Sequence, residues 1–109
     1  MELRDYQYLA NRTAKSLGFT DDLHHLAHGI SGEAGELCDA IKKYTIYNQP
    51  LDRDNLREEL GDLLWYVALG ASVLNEPLEI IARENIVKLQ KRYPHEYSDF
   101  NAATRLDKL

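Results

Sequence analysis

The sequence predicts an all-α fold, an antiparallel bundle of about four helices in one domain. Three observations carry that expectation. Apolar residues recur at intervals of three and four through most of the chain, the period of a helix. Strand-type alternation is nearly absent, and no Asn-Gly hairpin pair occurs. Gly18, Pro50, Pro77 and Pro94 divide the 109 residues into pieces of helical length.

The elements follow in order. Helix one is predicted from about Leu3 to Leu17, stopped by Gly18. Asp21 or Asp22 can cap helix two, which runs to about Tyr47 before Gln49-Pro50 breaks the chain. Asp52 or Asp54 can cap helix three, which ends near Leu74. Pro77 stands where helices begin well, so helix four runs from there to about Tyr93, stopped by Pro94. The packed core should span about residues 5–94 of a single domain covering 1–109. The polar tail 95–109 should pack loosely or reach a partner, with room for a short helix.

Composition narrows the function. An apolar fraction of 44% is that of a folded protein. A net charge of −5 argues against non-specific binding of long nucleic acid, which needs clustered Lys and Arg. A small anionic ligand remains compatible if a metal ion supplies positive charge. The lone Cys38 can form neither an internal disulfide nor a Cys-based zinc site. No signal peptide opens the chain and no apolar run reaches membrane-spanning length, so a cytoplasmic location with no membrane partner is expected.

Helix three has an unusual surface. From Leu63 to Leu74 it reads LLWYVALGASVL, without a charge. A helix apolar all round must be covered on every side, and a small monomer has few elements to do so. A homo-oligomer with this helix at or near the interface is therefore expected.

Two pairs of carboxylates fall at helical spacing. Helix two carries Glu33-x-x-Glu36 and helix three Glu59-x-x-Asp62. Residues three apart lie about 60° apart on a helix, so each helix presents its pair on one side. Each pair borders its helix's apolar stripe, Leu26/Ile30/Leu37 on helix two and Leu60/Leu63/Val67 on helix three. Glu58 points further out than Glu59. Packing the stripes together gathers four like charges, which a hard divalent cation such as Mg²⁺ relieves through oxygen ligands. Either pair alone is commonplace on a solvated face; two pairs at the stripe edges of consecutive helices are not. Gly29, Gly32, Gly35 and Gly61 lie in these helices at a cost of about 1 kcal/mol each relative to Ala. Such glycines mark close approach to a backbone, by another helix or by a ligand.

Helix four carries a polar row. Asn85, Lys88 and Arg92 project with Ile81 within about 60° of one another, flanked by Leu78 and Leu89. The row should therefore point toward the bundle. Its cations suit phosphate oxygens, with Asn85 as a neutral donor; they can equally snorkel past the core or pair with the acids. Lys43, on the Glu36 side of helix two, could serve the same end. His24 and His28, four apart, could hold a transition metal, yet such histidines more often cap or face solvent.

GEAGELCDAIKK, EELGDLLWYV and NIVKLQKRYP together resemble the successive signatures of the MazG-like, all-α nucleotide pyrophosphohydrolases, over roughly Asp5 to Pro94. The family's pattern of Glu-x-x-Glu, a spacer and Glu-x-x-Asp is met by Glu33, Glu36, Glu59 and Asp62, with 22 residues between Glu36 and Glu59. The resemblance implies a helical bundle assembled as a homodimer or homotetramer. It implies Mg²⁺, with Mn²⁺ as a substitute, held by those four acids. It implies hydrolysis of (deoxy)nucleoside triphosphates to monophosphate and pyrophosphate. Tyr66 and the Asn85/Lys88/Arg92 row match positions that touch substrate in relatives, and Glu33 or Glu36 would be the general base. Two rivals stand beside this reading. A di-iron bundle would want Glu-x-x-His pairs, which the acidic sites lack. A non-catalytic helical interaction module would leave all four acids merely solvated.

Overall fold

The computed structural model describes residues 1–109 and is entirely helical. The helices are α1 (Leu3–Asn11), α2 (Phe19–Thr45), α3 (Arg53–Val73), α4 (Leu78–Arg92) and α5 (Asp99–Thr104), followed by a 3₁₀ turn at Leu106–Lys108.

The long helices α2 and α3 form the principal contact. As α3 advances through Asp62, Tyr66 and Gly70, its partners on α2 recede through Glu33, Gly29 and Leu26. That register makes the pair antiparallel. Asp52 caps α3 by accepting the Asn55 amide at 3.1 Å. At its far end Asn75 takes a left-handed conformation (φ 56°). Asn75 N–H then donates to Ser72 O at 3.0 Å and Glu76 N–H to Ala71 O at 2.8 Å. This double closure normally uses glycine, and asparagine is the usual substitute.

The first helix is shorter than its periodicity suggests. It ends at Asn11, not near Leu17. The Thr13 hydroxyl donates to Ala10 O at 2.6 Å and accepts the Trp65 indole N–H at 2.8 Å. These bonds turn the chain toward α3. Leu17 is left exposed, its amide donating to Asp22 at 3.0 Å. Asp22 thus braces the approach to α2 from inside the first turn, and Gly18 (φ 95°) takes the cap position that Asp21 or Asp22 was expected to fill.

Gln7 of α1 clasps the α3–α4 turn. Its side-chain amide donates to Ser72 Oγ at 3.2 Å and Glu76 O at 2.9 Å, and its oxygen accepts the Leu78 amide at 2.8 Å. Beneath this clasp Ala10, Ala68, Ala71 and Leu78 form a small core, with Tyr6, Trp65 and Ile81 packed against it. The apolar half of α3 therefore plays two parts. Ala68 to Ala71 are buried within the chain, while Leu60, Leu64 and Val67 remain 54%, 42% and 42% exposed.

The chain folds into an open shape. Only seven residues are buried, so the core fills little of the molecule. Its radius of gyration is 17.0 Å, against about 13 Å for a compact domain of this length. Its surface of 8226 Å² exceeds the roughly 6,200 Å² that a compact monomer of this mass exposes. No helix is long and apolar enough to cross a membrane.

The tail is not loose. The 3₁₀ turn and α5 both pack on α4. Asp107 receives both forks of Arg92 (3.1 and 3.2 Å) and both forks of Arg105 (3.0 and 3.0 Å). Its side chain is wholly inaccessible.

Candidate metal centre

The antiparallel register of α2 and α3 decides which acids meet. Glu33, Glu59 and Asp62 offer carboxylate oxygens that lie within 4.8 Å of one another. Glu33 and Glu59 are half-buried and Asp62 is exposed. Glu36, one turn further along α2, is exposed and outside that trio, yet its charge is felt at Glu59. Glu58 faces solvent.

The electrostatics follow from like charges sharing a cleft. The Glu59 carboxyl is pushed above its usual range. Its hydrogen-bonding contact with Glu33 is the largest cause, followed by partial burial and the charges of Glu33, Glu36 and Asp62. No Lys or Arg pairs with any of the four acids. Oε2 of Glu59 is sealed from solvent without a hydrogen-bond partner. An orphaned anionic oxygen is costly, and a cation at this point would satisfy it. The donor set also fits the group: hard oxygen donors close enough to share one small ion suit Mg²⁺.

Aromatic rings wall the cluster. Glu33, Asp62, Trp65 and Tyr66 line a recess of about 280 Å³. Trp65 and Tyr66 meet edge to face at 4.9 Å, and His25 stands edge-on to Tyr66 at 5.5 Å. Tyr6 of α1 lies near enough that burial and the charge of Asp62 raise its phenol.

Residues 22–97 match the MazG nucleotide pyrophosphohydrolase domain. The chain belongs to the MazG family. All four acids, Tyr66 and the α4 row fall inside the MazG match, while Asp107 and Arg105 lie beyond it. Gene 37 protein of Mycobacterium phage L5 is 36% identical over 84% of this chain and 89% of its own length. An uncharacterised 26.1 kDa protein of Streptomyces cacaoi is 37% identical over 77% of the chain but only 35% of its own length. The uncharacterised protein YvdC of Bacillus subtilis is 28% identical over 87% of the chain and 99% of its own length. No solved structure matches.

The other residues singled out in the sequence are dispersed. Lys43 pairs with Asp39 at 3.4 Å on the exposed side of α2. Asn85 and Lys88 face solvent rather than the bundle, because α4 rests on α1, α3 and the C-terminal segment through its other side. Arg92 is engaged by Asp107. His24 and His28 stack on each other at 6.3 Å and are exposed, outside the acidic trio.

Sequence reasoning missed Tyr6 and the meeting of Gly29 with Tyr66. The second was within reach. Gly29 lies four residues before Glu33 and Tyr66 four after Asp62, so an antiparallel pair that joins the acids must also join these two.

Proposed function

We propose that this protein hydrolyses (deoxy)nucleoside triphosphates to nucleoside monophosphate and pyrophosphate, with Mg²⁺ held by Glu33, Glu36, Glu59 and Asp62. The observation that carries this reading is the gathering of acids across α2 and α3 with no basic residue to balance them, inside the MazG match. When bound, Mg²⁺ would supply the positive charge that offsets the triphosphate's anionic oxygens and acidifies water.

The chain's own residues divide the remaining work. Glu33 or Glu36 accepts the proton of the attacking water, as a carboxylate within reach of the cleft can. Tyr66 and Trp65 exclude water from one wall of the recess. Lys43, Asn85 and Lys88 are the donors proposed for phosphate, while Arg92, expected to join them, is held by Asp107. Asn85 and Lys88 lie on a face that the protomer leaves open. A second copy covering the exposed side of α3 would account for Leu60, Leu64 and Val67. The surplus surface exceeds the roughly 800 Å² per partner of a standard interface and suits the larger contacts of an obligate assembly. We therefore read the working form as a homodimer or homotetramer, acting in the cytoplasm.

The test is product analysis. Incubation with Mg²⁺ and a panel of nucleoside triphosphates should yield monophosphate and pyrophosphate. Release of diphosphate and phosphate, or no turnover with no calorimetric Mg²⁺ binding, would reject the assignment.

A further inference from the structure

Tyr66 stands where the acidic cluster opens into the recess, and α2 sets its position. His25, Gly29 and Glu33 are four apart and share one stripe of that helix. A Cβ built on Gly29 would lie within 2.5 Å of three Tyr66 ring carbons, closer than real side chains come. The other helical glycines are not closed off in this way. Gly32, Gly35 and Gly61 meet nothing within 4 Å, and Gly70 meets only the flexible end of Leu26, at 3.1 Å. His25 and Trp65 bound the same ring edge-on, at 5.5 and 4.9 Å. The His25 ring packs edge-on against Tyr66, with its Nδ1 buried and unpartnered.

Alanine would be favoured over glycine in the interior of a helix such as α2. At Gly29, unlike Gly32, Gly35 and Gly61, the space a side chain needs is already taken by the Tyr66 ring. We propose that Gly29 is a positioning residue, whose missing side chain forms the slot that holds the Tyr66 ring beside the carboxylates and so keeps the substrate recess in shape. The slot itself follows from packing; its effect on nucleotide affinity rests on the pyrophosphohydrolase reading.

Four full-length proteins test this: wild type, Gly29→Ala, Tyr66→Ala and the double variant. Trp65 is the only tryptophan and touches Tyr66, so its emission reports the ring. Gly29→Ala should lower the melting temperature, shift Trp65 emission and raise the nucleotide KM by about tenfold or more. Calorimetric Mg²⁺ affinity should stay within about twofold, because the ring moves and the acids do not. In the Tyr66→Ala background the same substitution should reverse sign and raise the melting temperature by roughly 4 °C, since nothing remains to strike. An effect of the same sign in both backgrounds would overturn the proposal. So would unchanged emission in the single variant, or loss of Mg²⁺ affinity alongside nucleotide affinity. Should Gly29→Ala fail to fold, recovery in the double variant supports the slot and failure of both rejects it. If wild type turns over no nucleotide, the functional reading falls, while the sign reversal in melting temperature still decides the slot.

Discussion

Two carboxylate sites in this molecule are built on opposite principles. At the C-terminus one acid, Asp107, is matched by two guanidiniums through four hydrogen bonds and is sealed from water. Between α2 and α3 acids crowd together with no basic residue beside them. The consequences for proton affinity are opposite. Hydrogen bonds from Arg105 and Arg92 hold the Asp107 carboxyl far below its usual range, whereas the contact with Glu33 pushes Glu59 up. The first site is balanced by the chain's own residues. The second is a charge imbalance that a proton on Glu59 or a bound cation would relieve. Of the two, only the second lies wholly within the MazG match. What separates the two clusters is whether the protein itself supplies the counter-charge, and unbalanced clusters are the kind found more often at functional sites.

The largest expected effect breaks the unbalanced site. Glu36→Gln or Asp62→Asn should reduce turnover by about a thousandfold or more, as loss of a metal-holding or proton-accepting group does. Helicity by circular dichroism should be retained. Substantial activity in both variants would reject the assigned centre.

The next effect sharpens the contrast through pH. Glu59 binds its proton more tightly folded than unfolded, so its contribution to stability is present below the ordinary value of 4.5 and is lost as pH rises through its raised value. Metal-free protein should therefore lose melting temperature as pH climbs from mild acid, and Mg²⁺ should restore it at neutral pH. Glu59→Gln should flatten that slope. A metal-free melting temperature that rises steadily over the same interval would contradict the assignment.

Asp107 should behave in the reverse sense. Its folded value is depressed, so its contribution is present above the ordinary 3.8 and is lost as pH falls below it. Asp107→Asn should lower the melting temperature and speed proteolysis after residue 98, by leaving Arg92 and Arg105 facing each other. Equal protease resistance in the variant would show that the tail is held by other contacts. The smallest effect belongs to Glu58→Gln, beside Glu59 but facing solvent. It should change kcat/KM by less than about twofold.

Much of this organisation is legible in the sequence. The two acidic pairs, the Asp52 cap and the prolines at 50, 77 and 94 mark where α2, α3 and α4 lie, because each rests on local chemistry. What misleads is long-range. The periodicity from Leu3 to Leu17 reads as one helix, and only the Trp65–Thr13 hydrogen bond, 52 positions apart, explains why the chain leaves it at Asn11. Asn85 and Lys88 look inward by the flanking leucines, yet both are exposed, and of the polar row only Arg92 meets a packed neighbour, Asp107 of the tail. No spacing rule links Arg92 to Asp107. Their meeting depends on Arg105, a residue with a side chain held at φ 56°, where glycine would be the usual signal.

The clasp made by Gln7 has a mechanical consequence. Leu78 begins α4 directly after Pro77, whose ring offers no side-chain acceptor for the free amide, and that acceptor arrives from 71 positions away. The root of α4 is thus pinned by the opening helix, while Lys88 rides roughly 15 Å further along the rod. A lever of that length turns a few degrees of slack at the pivot into more than an ångström at its tip. The position of Lys88 is therefore tied to a glutamine bonded at the other end of α4, at Leu78.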